Sequence, residues 1–334
     1  MTHQFNVPFV AGTEMAYLQE VIETRNFAGN GPFTKRVQRL LEERYGAPHV
    51  LLTHSCTAAL EMAGILLDLG PEDEVIVPSY TFCSTASAFL RCGARIVFCE
   101  IDPATMNMDV ADAARRVTSK TRAIVPVHYG GIAADMDAVL DLAKTHGLRV
   151  IEDAAQGIEA RLGERWLGTI GALGALSFHE TKNLHSGLGG ALFVNDPDIF
   201  DRAEDIWERG TNRTKLFKGL VDKYTWVELG SSFYPSELQA AFLLGQLEAM
   251  DRNLAERRAL WNAYMTDLAP LAKAGRLAIP RIESDRTVNY HACFVIANSV
   301  AEGDALRVFL TQQGVQAYIG YVPLHSSPMG ERLG

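Results

Sequence analysis

Seven short, almost wholly apolar runs punctuate the first 195 residues, at 49–53, 74–78, 95–100, 122–127, 149–153, 175–178 and 190–195. Runs this short and continuous read as strands buried on both faces. Helical spacing of apolar residues fills gaps between the earlier ones: 57–69, followed by Gly70, and 135–146, followed by Gly147. A glycine just past the last helical residue suits a left-handed C-cap. Strand–helix alternation predicts an α/β fold, a mainly parallel seven-stranded sheet with helices on both faces. The pattern changes near Pro235. A helical stretch covers about 236–268, with Leu238, Ala241, Phe242, Gly245, Leu247 and Met250 along one face. Beyond Pro280 a strand is expected near 290–297, a helix near 302–313 and a strand near 315–318. The expected organisation is a large unit over 1–235 and a smaller C-terminal α/β unit over 236–334, joined by that long helix. A length of 334 residues suits about two domains.

Bulk properties narrow the partners. The net charge is −9 and the basic residues are scattered, which argues against nucleic acid while leaving room for a local anion pocket. No apolar run approaches the ~18–20 residues of a membrane span, so no membrane partner is expected. The opening Met1-Thr2-His3-Gln4-Phe5-Asn6 lacks the charged and apolar regions of a signal peptide. Cysteines 56, 83, 92, 99 and 293 form no CxxC pair, and the nine histidines form no HxxxH. The expectation is a cytoplasmic protein without a metal site.

Two strand ends carry the chemistry. Leu148-Arg149-Val150-Ile151 runs into Glu152-Asp153-Ala154-Ala155-Gln156, and Leu173-Gly174-Ala175-Leu176-Ser177-Phe178 runs into His179-Glu180-Thr181-Lys182-Asn183. An acid and a lysine thus each lie just past the carboxyl end of a strand, the edge where open α/β sheets gather ligands. A carboxylate that keeps a pyridine nitrogen protonated and a lysine that forms an imine are what pyridoxal 5′-phosphate (PLP) needs. Taken alone, a lysine is usually a solvated surface residue and a strand-end acid usually caps a turn. The ordered combination of Asp-x-x-Gln and Ser-Phe-x-x-x-Lys is what points to catalysis by Lys182 and Asp153. Gln156 either closes a helix terminus or donates to the ring hydroxyl. Thr53-His54-Ser55-Cys56-Thr57 follows a strand and opens a helix. The amides of Cys56 and Thr57, with the Ser177 hydroxyl, could therefore hold a phosphate, the plainer reading being ordinary capping. Gly187-Leu188-Gly189-Gly190 precedes a strand, not a helix, so a dinucleotide loop does not fit.

Residues 148–156, 177–182 and Gly189-Gly190 together resemble the DegT/DnrJ/EryC1/StrS family of sugar aminotransferases. Members are PLP-dependent enzymes of fold type I, the aspartate aminotransferase-like fold. The resemblance runs from Asn6-Val7-Pro8-Phe9 to Pro323-Leu324-His325. His128-Tyr129, Gly210-Thr211-Asn212-Arg213 and Val221-Asp222-Lys223-Tyr224-Thr225-Trp226 are most similar to its dTDP-4-amino-4,6-dideoxygalactose transaminase branch. The resemblance implies that Phe82 stacks on the cofactor, where composition alone would equally allow a core residue. It implies a homodimer with shared active sites, in which residues 213–232 reach the neighbouring subunit. Lys223 would meet the sugar diphosphate, and Ser232, where asparagine is commoner, the partner's cofactor phosphate. Tyr321 and His325 would seat the substrate. Departures from the family pattern are Cys56 for glycine, Leu188 for glutamate and Gly320 for histidine. The family also implies a further strand and helix beyond Gly334. The implied reaction moves an amino group from L-glutamate to a nucleotide-linked keto sugar, with dTDP-4-keto-6-deoxyglucose the leading substrate. A 3-keto sugar, a keto-cyclitol, or an inactive PLP-binding regulatory paralogue are the alternatives. Dehydratases on this fold carry histidine in place of the imine lysine, and Lys182 argues against them.

Overall fold

The computed structural model describes residues 3–333. Its strands are β1 Val50–Thr53, β2 Glu74–Pro78, β3 Arg95–Cys99, β4 Thr121–Ile124, β5 Arg149–Ala154, β6 Arg161–Leu162, β7 Arg165–Trp166, β8 Leu173–Ser177, β9 Gly190–Val194 and β10 Arg286–Thr287. Its helices are α1 Glu14–Thr24, α2 Pro32–Tyr45, α3 Cys56–Leu66, α4 Ser84–Arg91, α5 Val110–Arg115, α6 Met136–His146, α7 Phe200–Trp207, α8 Arg213–Phe217, α9 Glu237–Glu248, α10 Met250–Lys273, α11 Val300–Gln312 and α12 Pro328–Leu333.

Seven strands form one sheet in the order β1-β9-β8-β5-β4-β2-β3. All neighbours are parallel except β9, which runs antiparallel to β1 and β8. The expected mainly parallel sheet is therefore present. Alternate residues leave opposite faces of a strand, and each face is covered. Leu51, Val75, Val77, Ile151 and Leu192 pack under α3, α4 and α7. On the other face, Val50, Leu52 and Phe193 pack with α1, α2 and α9, while Ile76, Ile124 and Val150 pack with residues of α5 and α6. This double burial is why the strand runs are apolar throughout.

Local signals decide most helix ends. Asp135 caps α6 by accepting from the Ala138 amide, and Gly147 closes it at φ 67°. By contrast, α3 stops at Leu66, and Asp68, at φ 52°, takes the left-handed turn expected of Gly70. The Gly70 amide instead donates to Asp73 Oδ2 at 2.9 Å.

Three expectations for the C-terminal part need correction. The helix expected over 236–268 is two helices, because the chain leaves helical geometry at Ala249 (φ −99°, ψ 11°). Most of α9 is buried in the core with α1 and α2, whereas α10 buries only Met250 and Asn253. The stretch 290–297 contributes one bridge, Ile296 to Ala278, and 315–318 one bridge, Val315 to His3. An apolar run becomes a strand only where a partner backbone lies alongside it. Among the described residues the one ladder in this part, β10, pairs with β6, and β6 with β7.

Candidate active site

The sheet's topology gathers the site at one edge. Ser177 and Thr53 end β8 and β1, and both pair with Gly190, the first residue of antiparallel β9. Gly190 has no room for a side chain: a Cβ there would lie 2.4 Å from the Cys56 amide nitrogen. The N-terminus of α3 therefore abuts the sheet edge. Ser55 caps it, its Oγ accepting from Ala58 at 3.1 Å. The first amides of a helix have no intrahelical acceptor, and those of Cys56 and Thr57 find none among the described residues. They lie at the positive end of the helix dipole. Thr57 Oγ1 meets Ser84 Oγ at 2.7 Å, and Ser177 Oγ accepts from the His179 amide at 3.3 Å.

Asp153 is buried near the end of β5. Its Oδ2 accepts from Thr85 Oγ1 at 2.7 Å and its Oδ1 from the Ala155 amide at 3.1 Å. Lys182 sits in a turn in which its amide donates to the His179 carbonyl at 2.8 Å. Burial pulls its amine below the ordinary lysine range, against the opposing pull of Cys56 and Asp153. Burial pushes the Cys56 thiol well up, and Asp153 adds to that rise. Because β5 and β8 are neighbours and the start of α3 abuts Gly190 beside Ser177, Lys182, Asp153 and Cys56 gather at one edge of the sheet.

An aromatic cluster adjoins Gln156. The ring of Tyr321 lies 5.7 Å from Tyr80, 5.9 Å from Tyr129 and 6.2 Å from Phe82. Phe82 is 54% exposed, which rules out its reading as a core residue. Gln156 closes no helix: its Oε1 accepts from Gly130 at 2.6 Å and its Nε2 donates to Tyr321 Oη at 3.2 Å. The Tyr321 phenol is pushed up to about 12 by burial, with Asp153 contributing. Gly320 has a steric cause, since a Cβ there would lie 2.2 Å from Tyr80 Oη and 2.4 Å from Tyr129 Oη. Two tyrosine hydroxyls crowd the place where a side chain would begin. His325 is exposed at the rim, its Nδ1 2.6 Å from Ser79 Oγ.

Lys223 and Ser232 are not drawn into this cluster within the chain. Both are exposed, and Ser232 bridges to Glu208. Around Lys223 lie exposed Phe217, Leu220, Tyr224 and Trp226. Leu188 points to solvent and only its carbonyl is engaged, by Ser186 Oγ and Gln239 Nε2.

The supporting roles of three residues escaped the sequence reading. Glu152 is fully buried and accepts from the amides of Gly168, Ile170 and Gly171 at 2.6–2.8 Å. His128 adds a fourth bond at 2.9 Å. Because His128 Nδ1 accepts from the Ala134 amide, its proton lies on Nε2 and points at Glu152. Thr85, the donor to Asp153, carries no signal beyond lying on α4.

The chain is similar to known proteins over nearly its whole length. The DegT/DnrJ/EryC1/StrS aminotransferase family matches residues 9–333. The chain is 34% identical over 322 residues to the "Pleiotropic regulatory protein" of Geobacillus stearothermophilus, covering 96% of this chain and 83% of that one. It is 30% identical over 326 residues to a GDP-perosamine synthase of Caulobacter vibrioides, covering 96% and 85%. The crystal structure of S. venezuelae DesV superposes with a TM-score of 0.86 at 31% identity, over 96% of this chain and 82% of that one. The fold is accordingly that of PLP-dependent sugar aminotransferases. The chain belongs to the DegT/DnrJ/EryC1/StrS aminotransferase family, as a sugar aminotransferase whose cofactor is pyridoxal 5′-phosphate.

Proposed function

We propose that this pocket transfers an amino group from L-glutamate to a nucleotide-linked keto sugar, with dTDP-4-keto-6-deoxyglucose as the first substrate to test. The observation that carries the reading is the meeting of Lys182, Asp153 and the unpaired first amides of α3 at one edge of the sheet.

The residues present fit the cofactor. A PLP ring needs an acid at its nitrogen, an amine at its aldehyde and donors at its phosphate. Asp153 accepts two hydrogen bonds, and a carboxylate has about four acceptor sites, so capacity remains for a pyridinium N–H. Bound PLP supplies the electron sink that makes the amino acid's Cα proton removable. Burial keeps the Lys182 amine more readily neutral, hence able to bond the aldehyde and, once released, to move the Cα proton as general base. Asp153 holds the ring nitrogen protonated. The amides of Cys56 and Thr57 and the Ser177 hydroxyl would hold the phosphate, and the exposed ring of Phe82 would stack on the cofactor. Gln156 aims the Tyr321 hydroxyl, which with His325 seats the substrate.

The working unit is a homodimer with shared sites. Its support is the exposed run Phe217, Leu220, Tyr224, Trp226, Val227 and Leu229, more clustered apolar surface than a free face ordinarily shows. Lys223 within it reaches the sugar diphosphate in the neighbouring site, and Ser232 the cofactor phosphate there. Among the described residues no helix is long and apolar enough to cross a membrane. The five cysteines are free, and on that ground we place the enzyme in the cytoplasm.

The name of the G. stearothermophilus relative supports a second reading, a PLP-binding regulator. One experiment separates the two. The PLP-loaded protein is incubated with dTDP-4-keto-6-deoxyglucose and L-glutamate, and the product is analysed by mass and NMR. A parallel sample is trapped with borohydride. The expected results are an amino sugar and a pyridoxyl adduct on Lys182, absent in Lys182→Ala. An adduct on another lysine rejects the site. An adduct on Lys182 with no turnover of any nucleotide-linked 4- or 3-keto sugar or keto-cyclitol favours the regulator.

A further inference from the structure

Asn183, Asn289 and His291 close a ring of hydrogen bonds that the reaction above does not use. Asn183 Nδ2 donates to the Asn289 carbonyl at 2.8 Å. Its Oδ1 therefore faces His291 Nδ1 at 2.9 Å and accepts from it. The His291 amide donates to Asn289 Oδ1 at 3.1 Å. Asn289 is fully buried, and its Nδ2 donates twice more, to the carbonyls of Gln156 at 2.7 Å and Ile158 at 2.6 Å. Every polar atom of that side chain is engaged, as burial demands.

The ring joins segments that carry the site. Asn183 is the neighbour of Lys182. Gln156 and Ile158 lie in the turn that follows Asp153. Gly131, near the end of the turn after His128, packs so closely that a Cβ there would fall 1.9 Å from Asn289 Oδ1. Between the two outer members sits Tyr290, at φ 58°, an uncommon conformation for a bulky residue. Its ring packs edge-on against Trp261 at 5.8 Å and under Arg258 at 5.4 Å, both from α10. Arg257 of the same helix donates to the His291 carbonyl at 3.4 Å. Burial, with the charges of Lys182 and Arg257 adding to it, holds the His291 imidazole well below the ordinary range. It is a neutral ring with its proton committed to Asn183. The charges that act on the Lys182 amine are Cys56 from α3 and Asp153 from β5, and Lys182 in turn acts on His291.

We propose that the Asn183–Asn289–His291 ring is a positioning device for Lys182, locking the turn after β8 to the turn after β5 so that the amine stays in the sheltered pocket beside Asp153. The proposal rests on Lys182 being the residue that bonds PLP. Opening the ring frees the Lys182 turn to move outward and admits water to the amine. Its pKa then climbs back toward the ordinary lysine value, and less neutral amine is present at neutral pH.

The test measures how fast PLP, added to cofactor-stripped protein, becomes linked to Lys182, followed by absorbance from about pH 6 to about pH 10 around the expected lysine titration. In Asn183→Ala and His291→Ala the midpoint should move up by about one pH unit, a roughly ten-fold slower linkage at neutral pH. His291→Asn keeps a donor in the Nδ1 position and should stay within about a third of a unit of the parent. Melting curves identify variants that fail to fold. In that event Asn183→Ser, too short to reach the Asn289 carbonyl, carries the same expectation. Unshifted midpoints in folded variants, with the parent adduct mapped to Lys182, overturn the positioning role alone. A parent adduct on a different lysine overturns the assignment of Lys182 itself.

Discussion

Glu152 and Asp153 are adjacent acids with different work, and the difference comes from strand geometry. Successive side chains of a strand leave opposite faces. Glu152 enters the interior, where four donors fill its acceptor sites and brace residues 168–171 before β8. Asp153 turns to the pocket, where Thr85 and Ala155 leave it capacity for another donor. Asp153→Asn keeps the shape and removes the charge that holds a ring nitrogen protonated. Its kcat should fall by ~10²–10⁴-fold, the scale of a positioned acid–base group, while PLP remains bound by absorbance. A kcat close to that of the parent would show that Asp153 does not control the ring nitrogen. The role proposed for Asp153 is suggested already by its spacing to Gln156 and its order before Lys182. That of Glu152 is not, because its partners arrive from a loop and from His128.

At the scale of elements, the joint between α3 and β9 is the sensitive one. Gly190 lets the helix start touch the sheet, and a Cβ would press on the backbone of Ser55 and Cys56, which cannot rotate away. Overpacking typically costs ~1–3 kcal/mol, and here the displacement falls on the proposed phosphate donors. Gly190→Ala should therefore raise the PLP Kd by about ten-fold or more, with an unchanged far-UV circular dichroism spectrum. A Kd equal to the parent's would mean that the α3 amides do not hold the phosphate. The Gly-Gly pair was visible in the sequence as a family mark. Its physical reason needed the register of β9 against β1 and β8.

At the scale of the whole molecule, Lys223 is exposed, outside the cluster around Lys182. Subunit mixing tests whether it serves a neighbouring site. Lys182→Ala protomers are mixed with Lys223→Ala protomers, each inactive or weak alone. If the two residues act from different chains, each heterodimer regains one intact site, and activity should approach about one quarter of the parent's in a statistical mixture. No recovery after confirmed subunit exchange would place Lys223 in the same chain's site or outside any site.

By itself the sequence determined the α/β class, the strands of the main sheet and the edge at which an acid and a lysine meet. These depend on burial within one element and on spacing within a few residues, which periodicity reports directly. Only the tertiary structure decided the order of the strands, the reversed direction of β9 and the break at Ala249. It also decided that 290–297 and 315–318 make bridges rather than strands. The tyrosine hydroxyls of 80 and 129 crowd Gly320 from far back in the chain. Asn183 and Asn289 bond across 106 positions. A local pattern shows that a residue will be buried, but which partner meets it there is decided when the layers pack and every buried polar group must find a bond.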